Sequence, residues 1–188
     1  MADRPRRPVR TAVVWDQLSR ALDAHAREVG RERLDILDAG GGTGGFAVPL
    51  AERGHQVTVV DPSPDALAAL ERRVSEVGVA ARVRAVQGDA SGLLDVVSKG
   101  SADVVLCHGV LEYVDDPAAA VAAASAVLRP GGIASVLVAQ RLAVVLARAL
   151  SGRFTEAEHA LADTSGRWGD TDPVPPRYDE AVITALLA

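Results

Sequence analysis

The chain has 188 residues, 48% of them apolar, a formal net charge of −5 and a single cysteine, Cys107. That length fits one domain with a sizeable core. One cysteine excludes an internal disulfide and a cysteine-based metal site, and an acidic balance argues against a general nucleic-acid binder, whose affinity comes largely from phosphate contacts.

In chain order, Val13, Val14, Leu18, Leu22 and Ala26 recur at helical spacing, and Gly30 is the expected C-terminal cap. "LDILDA" from Leu34 reads as a first strand. A glycine knot then opens a helix, "GGFAVPLAERG", that stops at Gly54, with Pro49 placed in its first turns. "HQVTVVD" is a second strand. Ser63 as N-cap, Pro64 at the first helical position and Gly78 as terminator frame the next helix. "ARVRAVQGD" is a third strand and "ADVVLCHGVLEYV" contains a fourth. "DDPAAAVAAASAVLRPGG" is a helix capped by Asp116 and closed by Pro130 and Gly131, and "IASVLVA" is a fifth strand. After Leu150 come a small helix, a Pro-rich connection and a last helix with no sixth strand.

Strands alternating with helices imply a parallel sheet with right-handed crossovers, an α/β doubly wound Rossmann-like fold that lacks its last strands. Three regions are expected: 1–30, a tail and covering helix; 31–139, the ligand-binding core; 140–188, a helical segment on the acceptor side. The apolar run Ile133 to Leu150 is interrupted by Gln140, Arg141 and Arg148, and reads as a strand and helix rather than a membrane span. The N-terminus has Arg4, Arg6, Arg7 and Arg10 but no apolar segment after them, so it reads as a solvated tail and the default compartment is the cytoplasm.

"DAGGGTGG" carries two overlapping patterns. Gly40, Gly42 and Gly45 satisfy G-x-G-x-x-G, the dinucleotide fingerprint, while Asp38, Gly40, Gly42 and Gly44 satisfy D-x-G-x-G-x-G. In both, a ligand touches main chain that any Cβ would obstruct. Asp61, at the end of the second strand, is placed to receive a ribose hydroxyl pair and suits either ligand. Asp89, in "VQGDA", is placed to accept from an exocyclic adenine amine. Asp38 is placed to bind loop amides or to face a ligand ammonium, and would repel a pyrophosphate. Acids at three successive strand ends suit a cationic ligand that carries an adenosine.

The glycine loop, "VVDPS", "VQGDA", "DVVLCHGVLEYVDDP" and "LRPGG", in that order, make the chain resemble the class I S-adenosylmethionine-dependent methyltransferases from about Thr11 to Ala139. More narrowly, "AVVWDQL", "LDAGGGTGGFAVPLAERGHQVTVVD" and "HGVLEYVDDP" resemble the bacterial tRNA 5-carboxymethoxyuridine methyltransferases. The resemblance implies that S-adenosyl-L-methionine is the cofactor. It sets Arg10 at the donor carboxylate, Gly40 and Gly41 (with Gly42 of the same loop) along the methionine portion, and Asp61 and Pro62 at the ribose. It further sets Asp89 and Ala90 beside the adenine and His108 facing the donor. The implied reaction is methyl transfer to a modified tRNA wobble-uridine carboxylate. A small-molecule O- or N-acceptor and a non-catalytic donor-binding protein are the alternatives.

Methyl transfer from a sulfonium is an in-line displacement in which alignment supplies much of the catalysis. A carboxylate acceptor needs no base, whereas a hydroxyl or amine can use one. His108 is read as donor-site wall or general base, and Tyr113 as packing. Glu112 and Asp115 belong to a loop and helix start. His25, His55 and His159 show no metal-ligand spacing and are read as surface residues; no metal is expected. Trp15 is expected to pack over the donor pocket and Trp168 to sit in a polar loop as a lid or acceptor contact. Arg153, Arg167 and Arg177 are read as solvated. A nicotinamide oxidoreductase would need hydride-transfer partners such as Tyr-x-x-x-Lys, and Lys99 is the only lysine. An exposed sheet edge predicts self-association.

Overall fold

The computed structural model describes residues 9–169, 172 and 176–188, with side chains from residue 12 onward. The arginine-rich run at 4–7 lies outside the described residues, as does the side chain of Arg10.

Five parallel strands, β1 (Asp35–Ala39), β2 (Gln56–Asp61), β3 (Val83–Gln87), β4 (Ala102–His108) and β5 (Leu128–Leu137), lie in the order β3-β2-β1-β4-β5. Strand order reverses between β1 and β4, so a crevice opens at the carboxyl ends there. Alternation along each strand divides the core. Ile36, Val57, Val59, Val104 and Leu106 face helices α1 (Val9–Glu28), α2 (Ala47–Glu52) and α3 (Pro64–Val77). Leu37, Val60 and Val105 face α4 (Leu93–Val96) and α5 (Pro117–Val127). Near-continuous apolar strands are what a sheet covered on both faces requires.

Local chemistry sets the helix ends. Ser63 accepts the Ala66 amide at 3.2 Å, Pro64 opens α3, and Gly78 ends it at φ +78°. Asp116 caps α5 by accepting the Ala119 amide at 2.9 Å. Such caps each contribute about 1 kcal/mol. At the amino ends of the strands, the almost fully buried Asp103 accepts from Arg31 (2.8 Å) and the Asp35 amide (2.8 Å) and pairs with Arg129 (2.7 Å). Burial opposes its ionisation, but the Asp35 amide and the two guanidinium groups together hold its carboxyl below the usual range.

Two expectations are corrected. Pro130 and Gly131 do not close α5. The helix ends at Val127, and β5 begins at Leu128 and passes through that dipeptide. The strand is irregular there, because Ala102 pairs with Leu128 but Val104 pairs with Ile133. The register of β5 against β4 shifts between those two pairs. A four-residue helix, α4, also lies between β3 and β4, where none was read. Beyond β5 come α6 (Arg141–Leu150), α7 (Phe154–Ala162) and α8 (Glu180–Leu187). Among the described residues there is no sixth strand, but Tyr178 makes a single parallel bridge to Gln140. Its amide donates to Ala139 (2.8 Å) and its carbonyl accepts from Arg141 (2.8 Å). No helix of the described residues is long and apolar enough to cross a membrane.

Candidate active site

The β1–α2 loop is shaped by contacts that only glycine permits. Gly40 has φ +67°, and a Cβ there would collide with the Val110 side chain. At Gly41 a Cβ would lie 2.6 Å from the Asp38 carboxyl. Asp61 ties the loop to β2: its Oδ2 accepts the Gly42 amide at 2.9 Å and its Oδ1 accepts the Ser63 amide at 2.9 Å. Each carboxylate oxygen keeps a further lone pair for a ligand hydroxyl.

Gly40, Asp61, Pro62, Asp89 and Ala90 line one cavity of about 220 Å³, completed by Gly109, Val110, Tyr113 and Val114. Whole-ligand pockets typically hold about 300–1,000 Å³, so this space suits the nucleoside part of a larger ligand. Asp89 is exposed, and its Oδ1 accepts the Ser91 amide at 2.7 Å. The sequence reading thus brings five of its residues around a single space.

Asp38 stands apart. It is buried at the end of β1, its Oδ2 has no hydrogen-bond partner, and burial, with Asp61 adding repulsion, pushes its carboxyl up to about 7. Of the two roles read for it, binding loop amides falls to Asp61 instead, since Gly42 donates there. A buried carboxyl without a partner beside a glycine loop suits a ligand that brings a positive charge.

His108 does not line the first cavity. It borders a second, of about 390 Å³, between α1 and β5. Its Nε2 lies 2.8 Å from Ser135 Oγ, and its ring meets Phe46 edge-on at 4.6 Å. Phe46 in turn stacks on Trp15 at 5.1 Å. Burial lowers the imidazole to about 4, so it is uncharged at neutral pH. A neutral ring is the form compatible with a cationic ligand nearby. Trp15 is a core residue that supports His108 through Phe46 and does not line the first cavity. Ser135 and Phe46 were missed from the sequence; Ser135 is legible as the one hydroxyl between Ile133 and Leu137 on the same strand face.

Further residues differ from their reading. Tyr113 is 74% exposed at the cavity mouth and does not pack. Glu112 is buried, and its Oε1 accepts the Ala139 amide, tying the loop after β4 to the end of β5. His25 and His55 are buried rather than at the surface, with His55 Nδ1 accepting the Leu34 amide at 3.3 Å; His159 is exposed as read. Arg177 is not solvated: it is buried and pairs with Asp172 at 2.8 Å and with the Gly166 carbonyl at 2.7 Å. Arg148 covers the Trp168 ring at 4.4 Å. Arg153 and Arg167 are exposed as read, Arg153 lying 3.6 Å from Glu156. Among the described residues no group of three His, Cys, Asp or Glu side chains could hold a metal ion.

Comparison with known proteins agrees with this arrangement. Residues 37–136 match the family model described as a methyltransferase domain. The chain is 34% identical over 148 residues to the tRNA 5-carboxymethoxyuridine methyltransferase of Escherichia coli K12, covering 78% of this chain and 54% of that protein. It is 34% identical over 137 residues to the ubiquinone biosynthesis O-methyltransferase of Methylocella silvestris, covering 67% of this chain and 50% of that one. Among solved structures, a SAM-dependent methyltransferase from Geobacter sulfurreducens in complex with S-adenosyl-L-homocysteine is 33% identical with a TM-score of 0.51, covering 62% of this chain and 45% of that one. The chain spans about half the length of the curated relatives it matches. With the family model matching more than half of its residues, across the strands and loops that build the cavity, the chain belongs to the methyltransferase domain family.

Proposed function

We propose that the chain binds S-adenosyl-L-methionine across the carboxyl ends of β1 to β4 and transfers its methyl group to an acceptor. The observation that carries this reading is the set of three acids at successive strand ends, Asp38, Asp61 and Asp89, around a glycine loop. In this reading Gly40, Gly41 and Gly42 let the main chain approach the methionine portion, and Asp38 faces its ammonium. Asp61 and Pro62 hold the ribose, while Asp89 and Ala90 flank the adenine. Arg10 meets the donor carboxylate, and His108 borders the transfer site. The name of the complex seen for the Geobacter protein supports the same ligand.

By likeness to the E. coli relative, the acceptor is the carboxylate of a modified tRNA wobble uridine. A second reading, a small-molecule hydroxyl acceptor, is favoured by the ubiquinone-pathway relative and by the net charge of −5. Incubating the chain with methyl-labelled S-adenosylmethionine and either bulk tRNA or a phenol panel, with Asp61→Ala as the control, tests both. Label in tRNA supports the first and label in a phenol the second. No label in either, with the donor bound, contradicts methyl transfer.

A further inference from the structure

Helices α6 and α7 pack chiefly on each other. α6 buries none of its residues, and α7 buries only Ala157 and Ala160. Together they form an arm that leaves the core after β5 and rejoins it at Tyr178. Both ends of this arm are held by the loop that follows β4. At the start, the Ala139 amide donates to Oε1 of the buried Glu112. At the return, the buried Tyr178 donates its hydroxyl to the Leu111 carbonyl at 2.5 Å. The Tyr178 main chain joins the two ends, donating to Ala139 and accepting from Arg141, each at 2.8 Å. The Arg141 guanidinium in turn donates to the Leu161 carbonyl at 3.0 Å, which ties the first residue of α6 to the end of α7. The same loop supplies Gly109, Val110, Tyr113 and Val114 to the nucleoside cavity. Leu111 and Glu112, which hold the arm, therefore stand between Val110 and Tyr113, which line the cavity.

We propose that Glu112 is a positioning residue that couples the donor cavity to the α6–α7 arm, so that a bound donor sets the arm and a set arm tightens the donor. This rests on the donor reading above. A ligand in the cavity touches residues 109, 110, 113 and 114 at once and so restricts the whole loop. That restriction removes conformational freedom which the bonds to Ala139 and Tyr178 would otherwise have to remove themselves. Glu112 does not line the cavity, so its effect on the donor passes through its neighbours in the loop. Thermodynamic linkage makes the effect reciprocal: whatever factor the donor adds to arm docking, arm docking adds to donor affinity. For the reaction this implies an order, with the donor binding first and the arm taking its place before the acceptor enters.

Amide hydrogen exchange of the whole chain, with and without saturating S-adenosylhomocysteine, tests this. The readouts are the Arg141 and Tyr178 amides, taken relative to the Asp35 amide at the far end of the sheet. In the native chain the ligand should slow both by at least ~5-fold beyond any change at Asp35, the low end of usual coupling between sites. Glu112→Ala should lose that slowing and weaken S-adenosylhomocysteine by a similar factor in calorimetry. Glu112→Gln, which keeps an acceptor oxygen for the Ala139 amide, should retain both. Tyr178→Phe releases the Leu111 carbonyl from the other end of the arm and should lose part of the slowing, which keeps the test open if Glu112→Ala does not fold. Arm amides indifferent to the ligand in the native chain overturn the proposal alone. So do full slowing and unchanged affinity in Glu112→Ala, full slowing in Tyr178→Phe, or loss of both effects in Glu112→Gln. Failure of S-adenosylhomocysteine to bind the native chain overturns the donor reading and this proposal with it.

Discussion

The Gly42 amide donates to Asp61 Oδ2 across 2.9 Å, so the acid that ends β2 holds the loop that ends β1. One side chain thereby sets the shape of the glycine loop and presents its remaining lone pairs to the cavity. Asp61→Ala should remove both roles, weakening S-adenosylhomocysteine at least ~100-fold if two charge-assisted hydrogen bonds are lost. Asp61→Asn, which keeps one acceptor oxygen, should fall between. Calorimetric titration of both variants checks this, and unchanged affinity in Asp61→Ala would remove Asp61 from the site.

Asp38 predicts a pH dependence with a definite sign. Its carboxyl is raised from 3.8 to about 7, first by burial and then by Asp61. Between those values the folded chain holds a proton that the unfolded chain has released. The stability from this group is therefore complete at low pH, declines as pH rises toward 7, and is level above it. Asp38→Asn is neutral throughout, so its stability relative to the native chain should grow from pH 4 to 7 in parallel denaturant titrations. With a ligand ammonium set against Asp38, S-adenosylhomocysteine should bind more tightly at pH 8 than at pH 6. Asp38→Asn should flatten that trend.

Gly40 is held at φ +67° with no room for a Cβ beside Val110. Gly40→Ala should destabilise the fold by about 1–2 kcal/mol from the left-handed backbone alone, plus the displacement of Val110. Gly54, at φ +100° with nothing within 4 Å of a Cβ, is the control that carries the backbone strain without the clash. A larger loss at Gly40 than at Gly54 in urea titrations is the expected order.

Tyr178 donates its hydroxyl to the Leu111 carbonyl at 2.5 Å and bridges the end of β5 through Gln140. Tyr178→Phe leaves the ring in place and the buried carbonyl unpaired, at a cost of about 1–3 kcal/mol. Faster amide exchange at Arg141, whose N–H donates to Tyr178, is the accompanying signature.

Beyond that bridge, no strand among the described residues pairs with the outer edge of β5. An open edge favours strand addition, and light scattering should give a mass above that of one chain. A single-chain mass across the concentration range would contradict it.

Much of this was readable in the sequence because it is local. Ser63, Pro64 and Gly78 fix α3 by neighbouring hydrogen bonds and backbone preference, and the alternation of Val57, Val59 and Val60 follows the strand period. Gly40, Asp61 and Asp89 could be placed from the glycine pattern and the strand ends, and Pro62 and Ala90 from the family resemblance. What was not legible depends on distant partners. Arg177 looks solvated until Asp172 and the Gly166 carbonyl are brought to it, and Glu112 looks like a loop acid until the Ala139 amide meets it. His55 looks like a surface residue until the Leu34 amide donates to it. Pro130 and Gly131 read as a stop signal, yet the strand accommodates them through a register shift against β4. The pairing of His108 with Ser135 is of the same kind, since it joins residues on different strands.

The central claim is that the glycine loop and its three acids form a methyl-donor site. Calorimetric titration of the chain with S-adenosylhomocysteine, with NADH as the parallel ligand, tests it most directly. The account predicts saturable binding of S-adenosylhomocysteine and none of NADH. Binding of NADH alone, or of neither ligand, would contradict it.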